Sequence, residues 1–338
     1  MSIPVGIVGV TGYAGQELLK LLQRHPHASV QYLASRRLKS PAPFGRTSLK
    51  IFPYDLQRAA QCELLFLCLP HGEAMTLAPA LLRKNVRVID LSGDFRIQSL
   101  SVFQRAYGLR HASGALLREA VYGLPELNRS EIPGHRLVAN PGCYPTATLL
   151  ALAPLAEQKW IAPDGPIVDA KSGVTGAGRA AREDLLFSEI NEDFRAYKVD
   201  RHPHTPEMEQ ELARLAGRKI PLTFVPHLAP LNRGLYATVY VPLKRRFREE
   251  NLRETFEQRY RDEPFVRVLP EGSWPQVKSV AGTNRCEIGL HLDPSGKRAI
   301  VLSAIDNLGK GAAGQAVQNM NLLLGLPETE GLELPDAE

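Results

Sequence analysis

Residues 3–26 read IPVGIVGVTGYAGQELLKLLQRHP. From Ile3 to Val10 the chain is apolar and rich in β-branched residues, three glycines follow, and leucines then recur at helical spacing. The pattern predicts a strand that feeds a helix through a Gly-rich turn. The same alternation continues outward. SVQYLAS and CELLFLCLP read as strands, EAMTLAPALLRKN as a helix and VRVIDLS as a further strand. Short apolar strands alternating with helices predict a doubly wound parallel sheet, an α/β fold.

The texture changes after Asp94. FQRAYGLRH and VYGLPELNRSEIPGHR read as loop-rich, and LVAN reads as one more strand that ends at Pro141. A domain boundary is expected there, with a first domain of 1–142 and a second of 143–309. PIVDAKSGV, LYATVYVPL, CEIGLHL and AIVLSAI are strands with period-two alternation, and EENLRETFEQRYRDE is a charged helix. Few intervening helices predict a mixed or antiparallel sheet for this α+β domain. The last segment, 310–338, is expected to be a helix that packs back on the first domain.

Length and composition agree with two domains. The chain has 338 residues, 44% apolar and 23% charged, which is ordinary for a globular protein. Its net charge of +5, from 41 basic and 36 acidic residues, is scattered, which favours anionic small molecules over nucleic acid. Cysteines at 62, 68, 143 and 286 have neither the density of a disulfide scaffold nor zinc spacing. The amino terminus lacks a basic leader region, and no apolar run is long enough to span a membrane. A soluble, cytoplasmic protein without membrane partners is expected.

Gly9, Gly12 and Gly15 form GxxGxxG ahead of a helix. Glycine lets a backbone approach a pyrophosphate closely and present its N–H groups at the helix amino terminus. The second strand ends in Ser35, Arg36 and Arg37, where an NAD site normally has a carboxylate. Two guanidiniums and a hydroxyl suit a 2′-phosphate, so NADP(H) is favoured; a solvated basic loop is the plainer alternative.

Cys143 stands in LVANPGCYPTATLLALAPLA, residues 137–156. Asn140-Pro141-Gly142 breaks a strand, and Pro145 falls in the first turn of the helix that follows. The thiol is either a small core residue or a nucleophile at a helix amino terminus, where N–H groups lower a thiol pKa and hold an oxyanion. Cys62 and Cys68 fit the core reading, and Cys286 is taken as structural. DRHPHTPEMEQEL supplies His202, His204 and Glu207 as proton-transfer partners, with Thr205-Pro206-Glu207 also a plausible helix opening. A His-x-His pair can bind metal, but no further ligand has telling spacing, so no metal is expected. His25, His27, His111 and His135 read as surface residues.

An ordered set of stretches carries a resemblance along nearly the whole chain: GVTGYAGQEL, LPHGEA, IDLSGDFR, VYGLPE, NPGCYPTATLLAL, KSGVTGAGR, HPHTPEMEQEL, PHLAPLNRGLYATVYV, GTNRCEIG and IDNLGKGAAGQAVQNMN. The chain resembles the N-acetyl-γ-glutamyl-phosphate reductase family, arginine-pathway relatives of aspartate-semialdehyde dehydrogenase. The resemblance implies a Rossmann-type domain with a substrate and dimerisation domain, and assembly as homodimers or homotetramers. It also implies that Cys143 displaces phosphate from an acyl phosphate and that NADPH reduces the resulting thioester. Thr11, Tyr13, Ala14 and Pro70 then join the cofactor residues, as do Ser172, Gly173 and Gly176 of the SGVTGAG loop and Asn307. Arg96, Asn140 and Arg233 become candidates for the substrate's phosphate and carboxylate, with a structural ion pair as the alternative for each arginine.

Relatives read His-Arg-His where this chain has Pro203 between its two histidines, so no role of that arginine carries over. The resemblance favours His202 as acid/base, with His204 close behind and Glu207 as an orienting carboxylate. Two rivals are a carrier-protein-linked aminoadipyl-phosphate reductase of lysine biosynthesis, against which Tyr144-Pro145 argues, and a non-catalytic NADP-binding sensor.

Overall fold

The computed structural model describes residues 2–44 and 49–332. It divides into two compact units: the chain up to Pro141 together with the chain from Ala312 onward, and Gly142–Gly311.

The first unit is built on eight strands: β1 (Ile3–Val8), β2 (Ala28–Ser35), β3 (Ala42–Pro43), β4 (Lys50–Pro53), β5 (Leu64–Leu67), β6 (Arg87–Asp90), β7 (Ala120–Tyr122) and β8 (Leu137–Ala139). Their order is β3-β4-β2-β1-β5-β6-β8-β7, parallel except for β3 against β4. β2 and β5 flank β1, so the carboxyl ends of β1 and β5 form a topological switch point. Buried Val5, Ile7, Val8 and Leu64–Leu67 explain the continuous apolar runs, because helices cover both faces of such a sheet. Helix Tyr13–Arg24 buries Gly15, Leu18, Leu19 and Leu22, and helix Ala74–Arg83 buries Met75, Leu77 and Leu81.

The segment after Asp94 is more regular than its loop-like composition suggests. It holds helix Leu100–Tyr107, opened by Ser99, whose hydroxyl accepts from the Val102 N–H, and closed by Gly108 at φ +67°. It also contains β7. Both elements are too short for periodicity to show; the two caps were the available signal.

The expected terminal helix is shorter than 310–338. Regular α-helix runs from Gly314 to Leu323, preceded by a π-helical turn over Gly309–Ala313 and followed by turns; 333–338 lie outside the described residues. This helix packs against helix Tyr13–Arg24 within the first unit. Its buried face is polar. Asn319 donates to Gly123 O (2.8 Å), and Asn321 Oδ1 lies 2.9 Å from His25 Nε2. His25 is therefore not a surface residue: it is buried, because an amide partner in the interior satisfies its ring. His111 is likewise half-buried on Phe95 and Phe103, with Nε2 2.9 Å from Asp94 O.

The second unit has seven strands, β9 (Ile167–Ser172), β10 (Arg195–Ala196), β11 (Thr223–Leu228), β12 (Leu235–Pro242), β13 (Val266–Val268), β14 (Cys286–Leu292) and β15 (Arg298–Ile305), in the order β10-β11-β9-β12-β15-β14-β13. The sheet is mixed: β11/β9 and β13/β14 pair in parallel, the rest antiparallel. Leu235, Ala237, Val239 and Val241 are buried on one face of β12, whereas Tyr236, Thr238 and Tyr240 stand on the more open one. Helix Cys143–Glu157 lies on the covered face against β12 and β15, with helices His204–Ala216 and Glu249–Tyr260 beside it. Every residue from Tyr144 to Ala156 is buried. A helix that is apolar all round belongs at the centre of its unit.

Candidate active site

In the first unit, the glycine turn follows directly from β1. Gly9 has φ +93°, and a Cβ there would lie 2.1 Å from Cys68 O. A Cβ on Gly15 would come within 2.6 Å of Gly9 O, so both positions exclude any side chain. Gly12 is the residue ahead of helix Tyr13–Arg24, in extended conformation, and no side chain caps that helix start. Thr11 and Ala14 fill the turn, Tyr13 is its exposed first helical residue, and Thr11 O accepts from Gln16 Nε2 (3.1 Å). Such a turn, with glycine where the backbone is closely approached and helix N–H groups at a switch point, has the form that can hold a pyrophosphate.

Because β1 and β2 are parallel neighbours, the end of β2 reaches the same edge; the Gly9 N–H donates to Ala34 O (2.8 Å). Ser35 is buried, and its Oγ accepts from the Arg37 N–H (3.3 Å). Arg36 makes an exposed ion pair with Glu73 (3.2 Å), of the kind that contributes little and yields to a stronger anion. Pro70 is exposed just beyond β5. The β2 end therefore fits a 2′-phosphate.

Arg96 and Asn140 meet each other. Arg96 Nε donates to Asn140 O (2.6 Å) and Nη2 to Leu91 O (3.0 Å), and the guanidinium is buried. The Asn140 amide donates to Ala312 O (3.1 Å) and accepts from Asn319 (3.0 Å). These bonds brace the chain that leads to Gly142. They hold Arg96 on backbone carbonyls and Asn140 at both ends of its side chain.

In the second unit, Cys143 is the first residue of its helix and is half-buried. Gly142 precedes it in extended conformation, and its N–H donates to Glu207 Oε1 (2.9 Å). Glu207 is fully buried in the first turn of helix His204–Ala216. The ring that lies against Gly142 is that of His204: a Cβ on Gly142 would be 2.4 Å from His204 Nε2. His202 accepts the His204 N–H on Nδ1 (3.1 Å), and the two rings stand 4.6 Å apart. The sequence grouped His202, His204 and Glu207 around one cysteine, and the fold brings Glu207 and His204 to the turn that carries it.

Tyrosines surround this cluster. Tyr144 packs edge-on against both histidines and donates from Oη to His227 O (3.0 Å), and Tyr197 Oη lies 3.2 Å from Tyr144 Oη as its donor. Burial pushes the Tyr144 phenol far up. Burial also pushes Tyr197 up to about 12, with the charge of Cys143 adding to the shift. Both phenols therefore stay protonated and act as donors. Tyr197 follows the two-residue strand β10, a stretch too short for periodicity to mark it.

The loops beside Cys143 are zipped together. The Gly173 N–H donates to Gly234 O (2.8 Å), and Cβ atoms on Gly173 or Gly176 would meet Leu231 O or Ser172 Oγ at 2.9 Å. Ser172 is buried. Asn307 accepts from the Gly234 N–H (2.6 Å) and donates to Thr175 Oγ1 (3.0 Å), so its amide ties these loops together at both ends. Arg233 Nε lies 2.6 Å from Asp306 Oδ2, a charge contact without hydrogen-bond alignment. Among the described residues, no group of three or more His, Cys, Asp and Glu side chains is placed to hold a metal ion, and no helix is long and apolar enough to cross a membrane.

Both units match family models. Residues 4–135 match the semialdehyde dehydrogenase NAD binding domain and residues 143–307 the semialdehyde dehydrogenase dimerisation domain. Solved structures agree on the fold. Aspartate semialdehyde dehydrogenase II from Vibrio cholerae superposes with a TM-score of 0.74 at 18% identity, over 96% of this chain and 99% of that one. A probable aspartate-semialdehyde dehydrogenase from Pseudomonas aeruginosa gives 0.72 at 19%, over 96% and 99%. The architecture is that of a semialdehyde dehydrogenase, a dinucleotide-dependent oxidoreductase. Curated relatives narrow the class. The N-acetyl-gamma-glutamyl-phosphate reductases of Alkalilimnicola ehrlichii and Halorhodospira halophila are 50% and 51% identical, each over 98% of both chains. The chain belongs to the N-acetyl-γ-glutamyl-phosphate reductase family.

Proposed function

We propose that the protein reduces N-acetyl-γ-glutamyl phosphate to N-acetylglutamate semialdehyde with NADPH, releasing phosphate, as a step of arginine biosynthesis. The first unit serves as the NADP-binding domain and the second as the catalytic and oligomerisation domain of a cytoplasmic homodimer or homotetramer. The open face of the second sheet, with exposed Ile167 and Tyr240, supports such assembly. The observation that carries the reading is the Gly142 turn. A buried carboxylate holds its N–H, an imidazole lies against its Cα, and the next residue is a thiol at a helix amino terminus.

In this reading the Cys143 thiolate attacks the acyl carbon, a C–S bond forms, and the C–O bond breaks with its electron pair leaving on phosphate. The positive end of the helix, with its first N–H groups, stabilises the thiolate and then the oxyanion. The Gly9, Gly12 and Gly15 turn would hold NADPH with Ser35, Arg36 and Arg37 at its 2′-phosphate, and the bound cofactor would supply hydride to the thioester carbonyl. We assign the proton on the oxyanion to His204, whose Nε2 faces Gly142; His202 accepts the His204 main-chain N–H and so braces the helix start that carries this ring. Collapse of the thiohemiacetal returns the thiolate. Arg233 is the candidate for the substrate carboxylate.

The test runs the reaction backwards, with N-acetylglutamate semialdehyde, phosphate and NADP, following absorbance of the reduced cofactor. Cys143→Ala is expected to lower turnover at least ~10³-fold, as loss of a covalent nucleophile does. Undiminished turnover would refute the mechanism, and equal efficiency with NAD would refute the roles of Arg36 and Arg37.

A further inference from the structure

Asp306 is fully buried at the end of β15 and collects three backbone donors and one cation. Its Oδ1 accepts from the Leu308 N–H (2.8 Å) and the Gly309 N–H (3.1 Å). Oδ2 accepts from the Gly282 N–H and lies 2.6 Å from Arg233 Nε. The topology dictates this meeting. β12 and β15 are antiparallel with Leu235 opposite Ile305, so the residues before β12 and those after β15 share one end of the sheet.

Two consequences converge on the thiol. The charge contact with Asp306 holds the Nε side of Arg233 and so biases where the guanidinium meets an oxyanion. The same carboxylate starts the π-helical turn Gly309–Ala313 by accepting the Gly309 N–H (3.1 Å), and the Asp306 main-chain carbonyl accepts the Gly311 N–H (2.9 Å). Gly311 lies directly on the nucleophile: a Cβ there would be 2.8 Å from Cys143 Cβ and 3.3 Å from its Cα. π-Turns are costly and recur at functional sites. Here the turn brings a bare backbone against the cysteine.

We infer that Asp306 is a positioning residue for the reaction, orienting Arg233 toward the substrate carboxylate and, through Gly311, holding Cys143 at its place on the helix. The inference deepens the proposed function and rests on it for the role of Arg233. It acts through other groups, since Asp306 is buried and bonded on both oxygens.

The experiment compares Asp306→Asn, Arg233→Ala, their double variant and Gly311→Ala in the reverse reaction. It also measures alkylation of Cys143 by iodoacetamide across pH, read by mass spectrometry of the Cys143 peptide. Asp306→Asn keeps an acceptor for the backbone but loses the charge, and is expected to raise KM for the semialdehyde about tenfold, an effect that vanishes on the Arg233→Ala background. Gly311→Ala is expected to leave that KM unchanged while kcat and Cys143 alkylation both fall at least about tenfold. Full multiplication of the Asp306 and Arg233 effects, or alkylation of Gly311→Ala at the wild-type rate, overturns the inference. Gly311→Ala keeps the Asp306 carboxylate and its contact with Arg233 while pressing a methyl on Cys143 and, less closely, on the Asp306 main-chain O, so the turn is still tested if Asp306→Asn fails to fold. A wild type that does not turn over the semialdehyde sinks the proposed function instead, and the alkylation arm still judges the placement of Cys143.

Discussion

Two helices in this molecule begin in nearly the same way. Gly12 and Gly142 each precede a helix in extended conformation, at φ −76°, ψ 163° and φ −71°, ψ 156°, and neither helix start has a side-chain cap. What packs against the glycine differs. At Gly12 the neighbour is backbone, Gly9 O, 3.5 Å from where a Cβ would stand. At Gly142 it is the His204 ring at 2.4 Å, and the glycine's own N–H is on Glu207. The first start is met by backbone alone; the second is enclosed by an acid and an imidazole and carries a thiol as its next residue. One local device is thus set in two environments, and side chains from a distant helix make the difference.

Alanine at the two glycines is expected to act very differently. Gly142→Ala drives a methyl into His204, so kcat is expected to fall about 10²- to 10³-fold through a misplaced base and nucleophile. Gly12→Ala meets only ordinary van der Waals contact, so thermal midpoint and kcat are expected to hold while KM for NADP rises about tenfold, the methyl standing where a pyrophosphate approaches. An active Gly142→Ala enzyme, or a Gly12→Ala enzyme that loses kcat instead, would erase the distinction.

A smaller effect separates the charge of Glu207 from its bond. Glu207→Gln keeps an acceptor for the Gly142 N–H, so kcat is expected to drop only about tenfold, whereas Glu207→Leu strands a buried N–H and costs the thermal midpoint as well. Equal thermal midpoints for the two variants would show that the bond to Gly142 carries no weight.

How much of this was legible follows from the kind of signal each residue left. GxxGxxG and the NPGCYPT block announce themselves locally, because glycine and proline constrain their own neighbours. β1, β2, β5, β6, β8, β9, β12, β14 and β15 showed in apolar runs and in period-two alternation, whereas β3, β4, β7, β10, β11 and β13 did not. Helix Leu100–Tyr107 did not, since eight residues hold barely two turns. Asp306 stands in IDNLGKGAAGQAVQNMN beside Asn307, but its worth comes from Arg233, far earlier in the chain, and only the pairing of β12 with β15 brings the two together. Tyr197 had no motif at all. The polar face of helix Gly314–Leu323 misleads any rule that places amides outside, because Gly123, Asn140 and His25 satisfy it from within.

A second pair of buried carboxylates gives the smallest and most specific prediction. Glu207 rests on a backbone N–H, whereas Asp90, at the end of β6, has Oδ1 on the Ser92 N–H (2.8 Å) and Oδ2 buried without a hydrogen bond among the described residues. Burial first, and the neighbouring Asp94 second, push Asp90 from 3.8 up to about 6. A carboxyl raised in the folded state favours the fold while it is protonated. That stability is complete below the unfolded pKa near 4 and is lost as pH rises through about 6. Asp90→Asn removes the titration. The variant is therefore expected to match the wild type near pH 4 and to gain on it by about 3 kcal/mol at pH 8, read as a difference in thermal midpoint that opens between those values. A gap that is constant with pH would mean that Asp90 stays ionised in the fold, and that the two buried carboxylates differ only in their partners.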